Sequence, residues 1–255
     1  MQENGNVTYT EVAGSTNRDL ETMLCLSEES NLKIPEYHIV ITDYQENGRG
    51  QGSNQWHSEA GQNLLASICF YPPLPASRQF VFNEYFALSV RDLLAAHGVE
   101  AQVKWPNDIY VGDRKVAGIL IEHAVIGERI RYTIAGIGLN LNETDFPEDL
   151  PNPISLTQIT GEQYDAMSMA KELVACCQAR AAQLTPEEWA ALDDEYLAHL
   201  YRMEEWAEYE IHGKRREARI TGVDAYGRLR LQGHEENEQW CCGMKEVKYL
   251  INSGL

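Results

Sequence analysis

Two stretches carry the side chains best suited to chemistry on anions. The first is "QENGRGQGSNQWHSEAGQN", residues 45–63, where glycines 48, 50, 52 and 61 surround Arg49. The second is "KWPNDIYVGDRKVAGIL", residues 104–120, which holds Lys104, Asp108, Lys115 and Gly118. A guanidinium can fork onto a carboxylate or phosphate through two parallel N–H groups, a charge-assisted contact worth roughly 1.5–3 kcal/mol. Glycines let backbone N–H groups converge on a ligand at low steric cost. Asp108 offers oxygen that a hard cation such as Mg2+ takes through water. The plain alternatives are a long solvated hairpin for the first stretch and ordinary exposed turn residues for the second.

The glycine loop is neither of the common phosphate-binding signatures. Gly48-Arg49-Gly50-Gln51-Gly52 lacks the G-x-G-x-x-G spacing and precedes a strand pattern where a helix should follow, and the chain holds no G-K-[ST]. A simple hairpin needs only two to five residues, so the excess length reads as a loop kept for binding. A third stretch, "AGIGLNLN" at 135–142, puts Gly136 and Gly138 on one face of a strand. That leaves either a flat strip of bare backbone on which a planar group can lie or a β-bulge.

The elements that must position these residues follow from pattern. "AGSTNRDLETMLCL" reads as a helix capped by Ser15 or Thr16, with Leu20, Met23 and Leu24 as its apolar stripe. "EYHIVITDY" and "NLLASICFY" read as strands on either side of the glycine loop. "QFVFNEYFALSVRDLLAAHG" is an amphipathic helix stopped at Gly98. Residues 101–123 read as a short strand to Trp105, a break at Pro106, and two strands joined at Gly112-Asp113; "RIRYTIAGIGLNLN" is another strand. "MSMAKELVACCQARAA" and "TPEEWAALDDEYLAHLYR" are helices, the latter with Thr185 as cap, Pro186 at the first position and Glu188 closing a capping box. From about Trp206 the strands become short and closely spaced, which predicts a small all-β barrel after an α+β domain, with boundaries at 1–204 and 205–255.

Bulk properties narrow the function classes. The chain has 255 residues, 44% of them apolar, and a formal net charge of −18. Roughly three quarters of the unfolded surface can be buried at this size. The acidic balance repels polyphosphate backbones and argues against general nucleic-acid binding. Six cysteines form no C-x-x-C pair and read as apolar fillers rather than a zinc site. No segment reads as a signal peptide or a membrane span, so a reduced, cytoplasmic protein without a membrane partner is the expectation.

"STN" at 15–17, "Q-x-x-GRG" at 45–50, "KWPND-x-Y" at 104–110, "RK-x-AGIL-x-E" at 114–122 and "G-x-G-x-N" at 136–140 occur in that order. Together they resemble the biotin–protein ligases over about residues 10–145. Each motif alone is weak, whereas five in order are specific. The resemblance implies a central mixed β-sheet flanked by helices, like class II aminoacyl-tRNA synthetases, followed by an SH3-like C-terminal barrel. It implies a two-step reaction: the biotin carboxylate attacks the α-phosphate of ATP, and a lysine of a biotin carboxyl carrier domain then attacks the biotinoyl-5′-AMP. Biotin and ATP are both anions, so cations must screen them, and Arg49 and Lys115 are the expected catalytic pair. A mobile glycine loop that closes over the adenylate would keep water out.

By the same resemblance Ser15, Thr16, Asn17 and Gln45 fall on the biotin side, where hydroxyl and amide groups suit a ureido ring. Arg49, Gly50, Gln51 and Lys115 reach the carboxylate and α-phosphate. Gly118, Leu120 and Gly136 line the ring pocket. Trp56, Lys104, Asn107, Asp108 and Asn140 join Arg49, Gln51 and Lys115 on the nucleotide side, with Asp108 as the water-mediated magnesium ligand. Many relatives carry a second loop arginine where this chain has Gln51, which implies weaker retention of the adenylate. Only 14 residues precede Ser15, too few for the helix-turn-helix of the repressor-type relatives, so no DNA partner is expected. Pairing of two copies through the sheet edge is open. His57 and His123 read as surface or packing residues, Lys214-Arg215-Arg216 as a solvated strand edge, and Glu122 has no evident role. The rival readings are a lipoate–protein ligase and a biotin-binding sensor without turnover.

Overall fold

Leu64–Phe70 is buried at all seven positions, the pattern of a strand covered on both faces. In the computed structural model this strand sits inside an eight-stranded sheet. The structure describes residues 2–3, 6–30, 32–52 and 54–251. The first sheet is built from β1 (Gln2–Glu3), β2 (Val7–Ala13), β3 (Ile39–Gln45), β4 (Leu64–Phe70), β5 (Gln102–Lys104), β6 (Asp108–Val111), β7 (Arg114–Ile126) and β8 (Arg129–Leu139). Their order is β1-β2-β3-β4-β8-β7-β6-β5, with β2 and β3 parallel and the other neighbours antiparallel. The helices are α1 (Thr16–Glu29), α2 (Phe80–Ala96), α3 (Leu156–Thr160), α4 (Ala166–Arg180) and α5 (Trp189–Ala198).

Alternation along the strands divides the work of the two faces. Ile39, Ile41, Leu64, Ala66, Ile68 and Phe70 join the large core with α2, α4 and α5. Phe70 meets Phe82, Tyr85 and Phe86 edge-on, at ring separations of 5.0–6.2 Å. On the other face Val40, Cys69 and Ile134 pack under Leu20 and Leu24 of α1. That helix covers only one end of its face, and the rest of the face is where the glycines lie.

A second sheet, β12-β11-β10-β9-β13, is wholly antiparallel: β9 (Trp206–Ile211), β10 (Lys214–Val223), β11 (Leu229–Gln232), β12 (Gln239–Cys242) and β13 (Val247–Tyr249). A register shift between Ile220 and Gly222 breaks β10, the kind of bulge that bends a strand. Trp105 Nε1 donates to the Gly227 carbonyl at 2.9 Å and ties the two sheets together.

Three local expectations need correction. Ser15 precedes α1, yet its side chain makes no cap. The Thr16 N–H is instead taken by the Gln45 side-chain oxygen at 2.9 Å, so the first turn is capped from β3. α5 begins at Trp189 rather than beside Pro186, because the Thr185 hydroxyl donates to Ala182 and residues 186–188 form a turn. The chain's capping box lies at Ser155 and Gln158, on α3. Lys214-Arg215-Arg216 sits on an inner strand of the second sheet, not an edge. β2 escapes the sequence pattern because its alternation is broken by exposed Glu11 and Val12.

Candidate active site

Register places the site. Leu65 pairs with Gly138, Gly138 with Gly118 and Gly118 with Asp108, so one row crosses four strands. The next row is Ser67, Gly136 and Leu120, and the next is Cys69, Ile134 and Glu122. Residues directly opposite each other share a face, and Cys69 and Ile134 fix it as the α1 face. No register shift falls at Gly136 or Gly138, so the bare strip is regular strand and not a bulge.

α1 delivers its first turn to the edge of this strip. Asn17 lies over Gly136, where a side-chain methyl would overlap the Asn17 amide. The Asn17 oxygen accepts from Ser67 Oγ at 2.5 Å, and its nitrogen donates to Glu122 Oε2 at 2.7 Å and to the Leu120 carbonyl at 3.3 Å. Ser67 Oγ is also 2.7 Å from the Thr16 hydroxyl, which reaches Gln45 Oε1 at 3.2 Å. Glu122 completes the network by holding Arg49, with Nη2 donating at 2.8 Å and Nη1 at 3.3 Å. The glycine loop carrying Arg49 is itself a small hairpin: Trp56 N–H donates to Gly48 at 3.0 Å and Gly50 N–H to Asn54 at 2.8 Å.

A second cationic centre faces Arg49 across the cavity. Lys115 Nζ lies 2.6 Å and Lys104 Nζ 3.6 Å from the Asp108 carboxylate. Lys115 is three positions from Gly118, which in a regular strand would aim it at the opposite face. The register shift between Ile109 and Tyr110 adds the residue that turns it back. Burial pulls the Lys104 ammonium below its ordinary pKa, with Asp108 opposing that shift.

The ring over the bare strip belongs to the protein. Trp56 lies against Gly118 and Gly138, where methyl groups would overlap the indole, and Lys115 Nζ is 5.4 Å from the ring centroid. The indole N–H is buried and has no acceptor among the described residues. The remaining cavity is about 250 Å³.

A family model described as the biotin/lipoate A/B protein ligase family matches residues 9–140. The chain belongs to this family. A bifunctional ligase/repressor BirA of Bacillus spizizenii is 33% identical over 176 residues, 68% of this chain and 52% of that protein, so this chain spans about half the length of that relative. A biotin–[acetyl-CoA-carboxylase] ligase of Paracoccus denitrificans is 30% identical over 206 residues, 76% of this chain and 83% of the relative. The biotin protein ligase of Aquifex aeolicus, solved with biotin and ATP, superposes with a TM-score of 0.77 at 19% identity, covering 97% of this chain and all of that one. The expected class, a helix-flanked mixed sheet followed by a small β domain, is the fold observed.

In this member of the biotin/lipoate ligase family most of the expected site residues converge. Ser15, Thr16, Asn17 and Gln45 line one end of the cavity, and Arg49, Gly50 and Gln51 its loop side. Lys104, Asn107, Asp108 and Lys115 line the other end, with Gly118, Leu120, Gly136 and Trp56 between. Asn140 is not brought in. It is buried, and its amide donates to the Ile154 carbonyl at 3.1 Å and the Lys115 carbonyl at 3.5 Å, so it anchors the base of Lys115 instead of facing a nucleotide. Asn107 reaches the cavity, but its amide donates to the Ile119 carbonyl. The His123 ring packs edge-on against Phe82, and burial depresses its pKa to about 4, which leaves it neutral.

Magnesium does not fit these residues as a protein-held ion. Asp108 is already ion-paired with two lysines, and no cluster of three metal-capable side chains occurs among the described residues. Sequence reasoning passed over Glu122 and Ser67, since a carboxylate that grips the loop and a hydroxyl that orients Asn17 are defined by distance alone. It passed over Lys245 as well, a residue of the second sheet that lines the same cavity.

Proposed function

We propose that the chain is an ATP-dependent biotin–protein ligase. The observation that carries this reading is the polarity of one cavity: amide and hydroxyl groups of Thr16 and Gln45 at one end with the Arg49–Glu122 pair beside them, the Lys115–Lys104 pair on Asp108 at the other, and bare glycine backbone between. A ureido ring needs one acceptor partner for each N–H and a donor for its carbonyl. The Gln45 oxygen is spent on the α1 terminus, while its amide nitrogen has no partner among the described residues. The biotin/lipoate family and the biotin–ATP complex of the Aquifex aeolicus structure support the same assignment.

In the first step a biotin carboxylate oxygen attacks the α-phosphorus of ATP, a P–O bond forms, and the bond to the β-phosphate oxygen breaks to release pyrophosphate. Arg49 and Lys115 draw the two anions together and stabilise the charge that grows on the phosphoryl oxygens. Glu122 and Asp108 fix the directions of those cations. In the second step the ε-amine of a carrier-domain lysine attacks the acyl carbon, the C–O bond to phosphate breaks, and AMP leaves with the electron pair as the amine loses a proton. Magnesium in this reading arrives on the nucleotide phosphates.

The indole of Trp56 occupies the bare strip at Gly118 and Gly138, so a ligand ring laid on that strip displaces it, and a buried indole N–H without an acceptor costs roughly 1–3 kcal/mol to keep there. In this reading the chain divides into domains 1–204 and 205–255, one sheet in each, and works in the cytoplasm. Among the described residues no helix is long and apolar enough to cross a membrane. Biotin-dependent exchange of labelled pyrophosphate into ATP, run beside lipoate, tests the reading. Exchange with biotin alone is the expected result, and exchange with lipoate alone would assign the site to the other branch of the family.

A further inference from the structure

The cations of the cavity are unequally matched. Arg49 is paired with Glu122, and Lys104 and Lys115 share Asp108. The fourth is Lys245, on the turn between β12 and β13 of the second sheet, and no carboxylate engages it among the described residues. A side-chain carbon on Gly52 would stand 2.7 Å from its Nζ, so the ammonium rests directly on the glycine loop and lines the cavity with Arg49 and Gln51. The loop touches the same turn a second time, where the Gln51 amide meets Met244 Sδ.

The turn is built to hold this position. Glu246 Oε2 accepts from the Gly243 N–H at 2.6 Å, the Glu246 N–H donates back to the Gly243 carbonyl at 3.2 Å, and His212 N–H donates to the Glu246 carbonyl at 2.8 Å. Lys245 itself has φ +73, a conformation that costs a non-glycine residue energy and persists where the surroundings impose it. The four cations against two carboxylates leave the site at +2, and without Lys245 at +1, in a chain whose formal charge is −18.

We propose that Lys245 of the C-terminal sheet is a nucleotide-phosphate ligand of the site and supplies the positive charge that Gln51, one residue before Gly52, does not. This rests on the ligase reading for the identity of the nucleotide. The β domain then closes the site from the side opposite α1, and its turn and the glycine loop move onto the phosphate together.

The test uses the full chain and α,β-methylene-ATP, in which the bond to be broken is replaced, titrated calorimetrically with and without saturating biotin at low and high salt. Lys245→Ala keeps the strained backbone class of the turn and should weaken this analogue about tenfold at low salt, less at high salt. Biotin affinity should stay within about twofold, Lys245→Arg should bind as wild type, and Gln51→Arg added to Lys245→Ala should recover most of the loss. Binding of the analogue to Lys245→Ala within about twofold of wild type, or an equal loss of biotin affinity, would overturn the proposal. Biotin-dependent pyrophosphate exchange by wild type is the separate control. If exchange is absent the ligase reading falls, while the titration still decides whether Lys245 binds the phosphates.

Discussion

Glu122 holds the Arg49 guanidinium through both of its carboxylate oxygens and takes the Asn17 amide on one of them. One side chain of β7 therefore links the glycine loop to the first turn of α1. Arg49 lies on a loop and has no helix or strand of its own to direct it, so its aim depends on this carboxylate. Glu122→Ala should lower kcat/KM for biotin-dependent pyrophosphate exchange about 100-fold, and Glu122→Gln, which keeps a carbonyl for Asn17, about tenfold. Equal rates in all three proteins would show that Arg49 is aimed by something else.

Lys115 is turned onto the site face by a bulge and held on Asp108 at 2.6 Å. Lys115→Ala should cost about 10²–10³ in kcat for adenylate formation, the scale for removing one preorganised donor from a developing charge. The melting temperature should shift little, since the pair is partly exposed and exposed ion pairs add little stability. A large loss of stability with unchanged kcat would mark the lysine as structural.

Trp56 rests on Gly118 and Gly138 with its indole N–H unsatisfied. Biotin added to the free protein should change tryptophan emission, and Trp56→Phe should remove most of the change although four other tryptophans remain. An unaltered signal in Trp56→Phe would place the ligand elsewhere.

Gly138→Ala puts a methyl where the indole lies. It should displace Trp56 in the unliganded protein, visible as a changed emission maximum before any ligand is added, and weaken biotin about tenfold by narrowing the strip. An unchanged spectrum together with unchanged biotin affinity would mean that the bare backbone at this position is dispensable.

Glu84 is buried on α2 beside Asp193, and burial first, then that neighbour, raises its pKa to about 9; Arg78 works in the other direction. The folded state therefore binds a proton that the unfolded chain releases near its ordinary value of 4.5. Stability should fall as pH rises from about 4.5 to about 9. Glu84→Gln should flatten that slope and melt higher than wild type at the alkaline end. Parallel pH profiles for the two proteins would show that Glu84 is not the group responsible.

The sequence by itself determined most of the elements and much of the membership of the site. Five short motifs in order, the glycines of the 48–52 loop and the apolar runs around them are local patterns, and local patterns survive in a linear string. Most residues named from them do line one cavity. The sequence also left errors where a competing partner lay far along the chain: Gln45 and not Ser15 caps α1, and Asn140 ties down Lys115 instead of a ligand. Tertiary structure alone decided which charges are paired. Glu122 reaches Arg49 across 73 positions, and Lys245 meets the glycine loop from another sheet. Contacts of that kind depend on register, a bulge and the seating of one sheet against another, which fix distances that no spacing along the chain encodes.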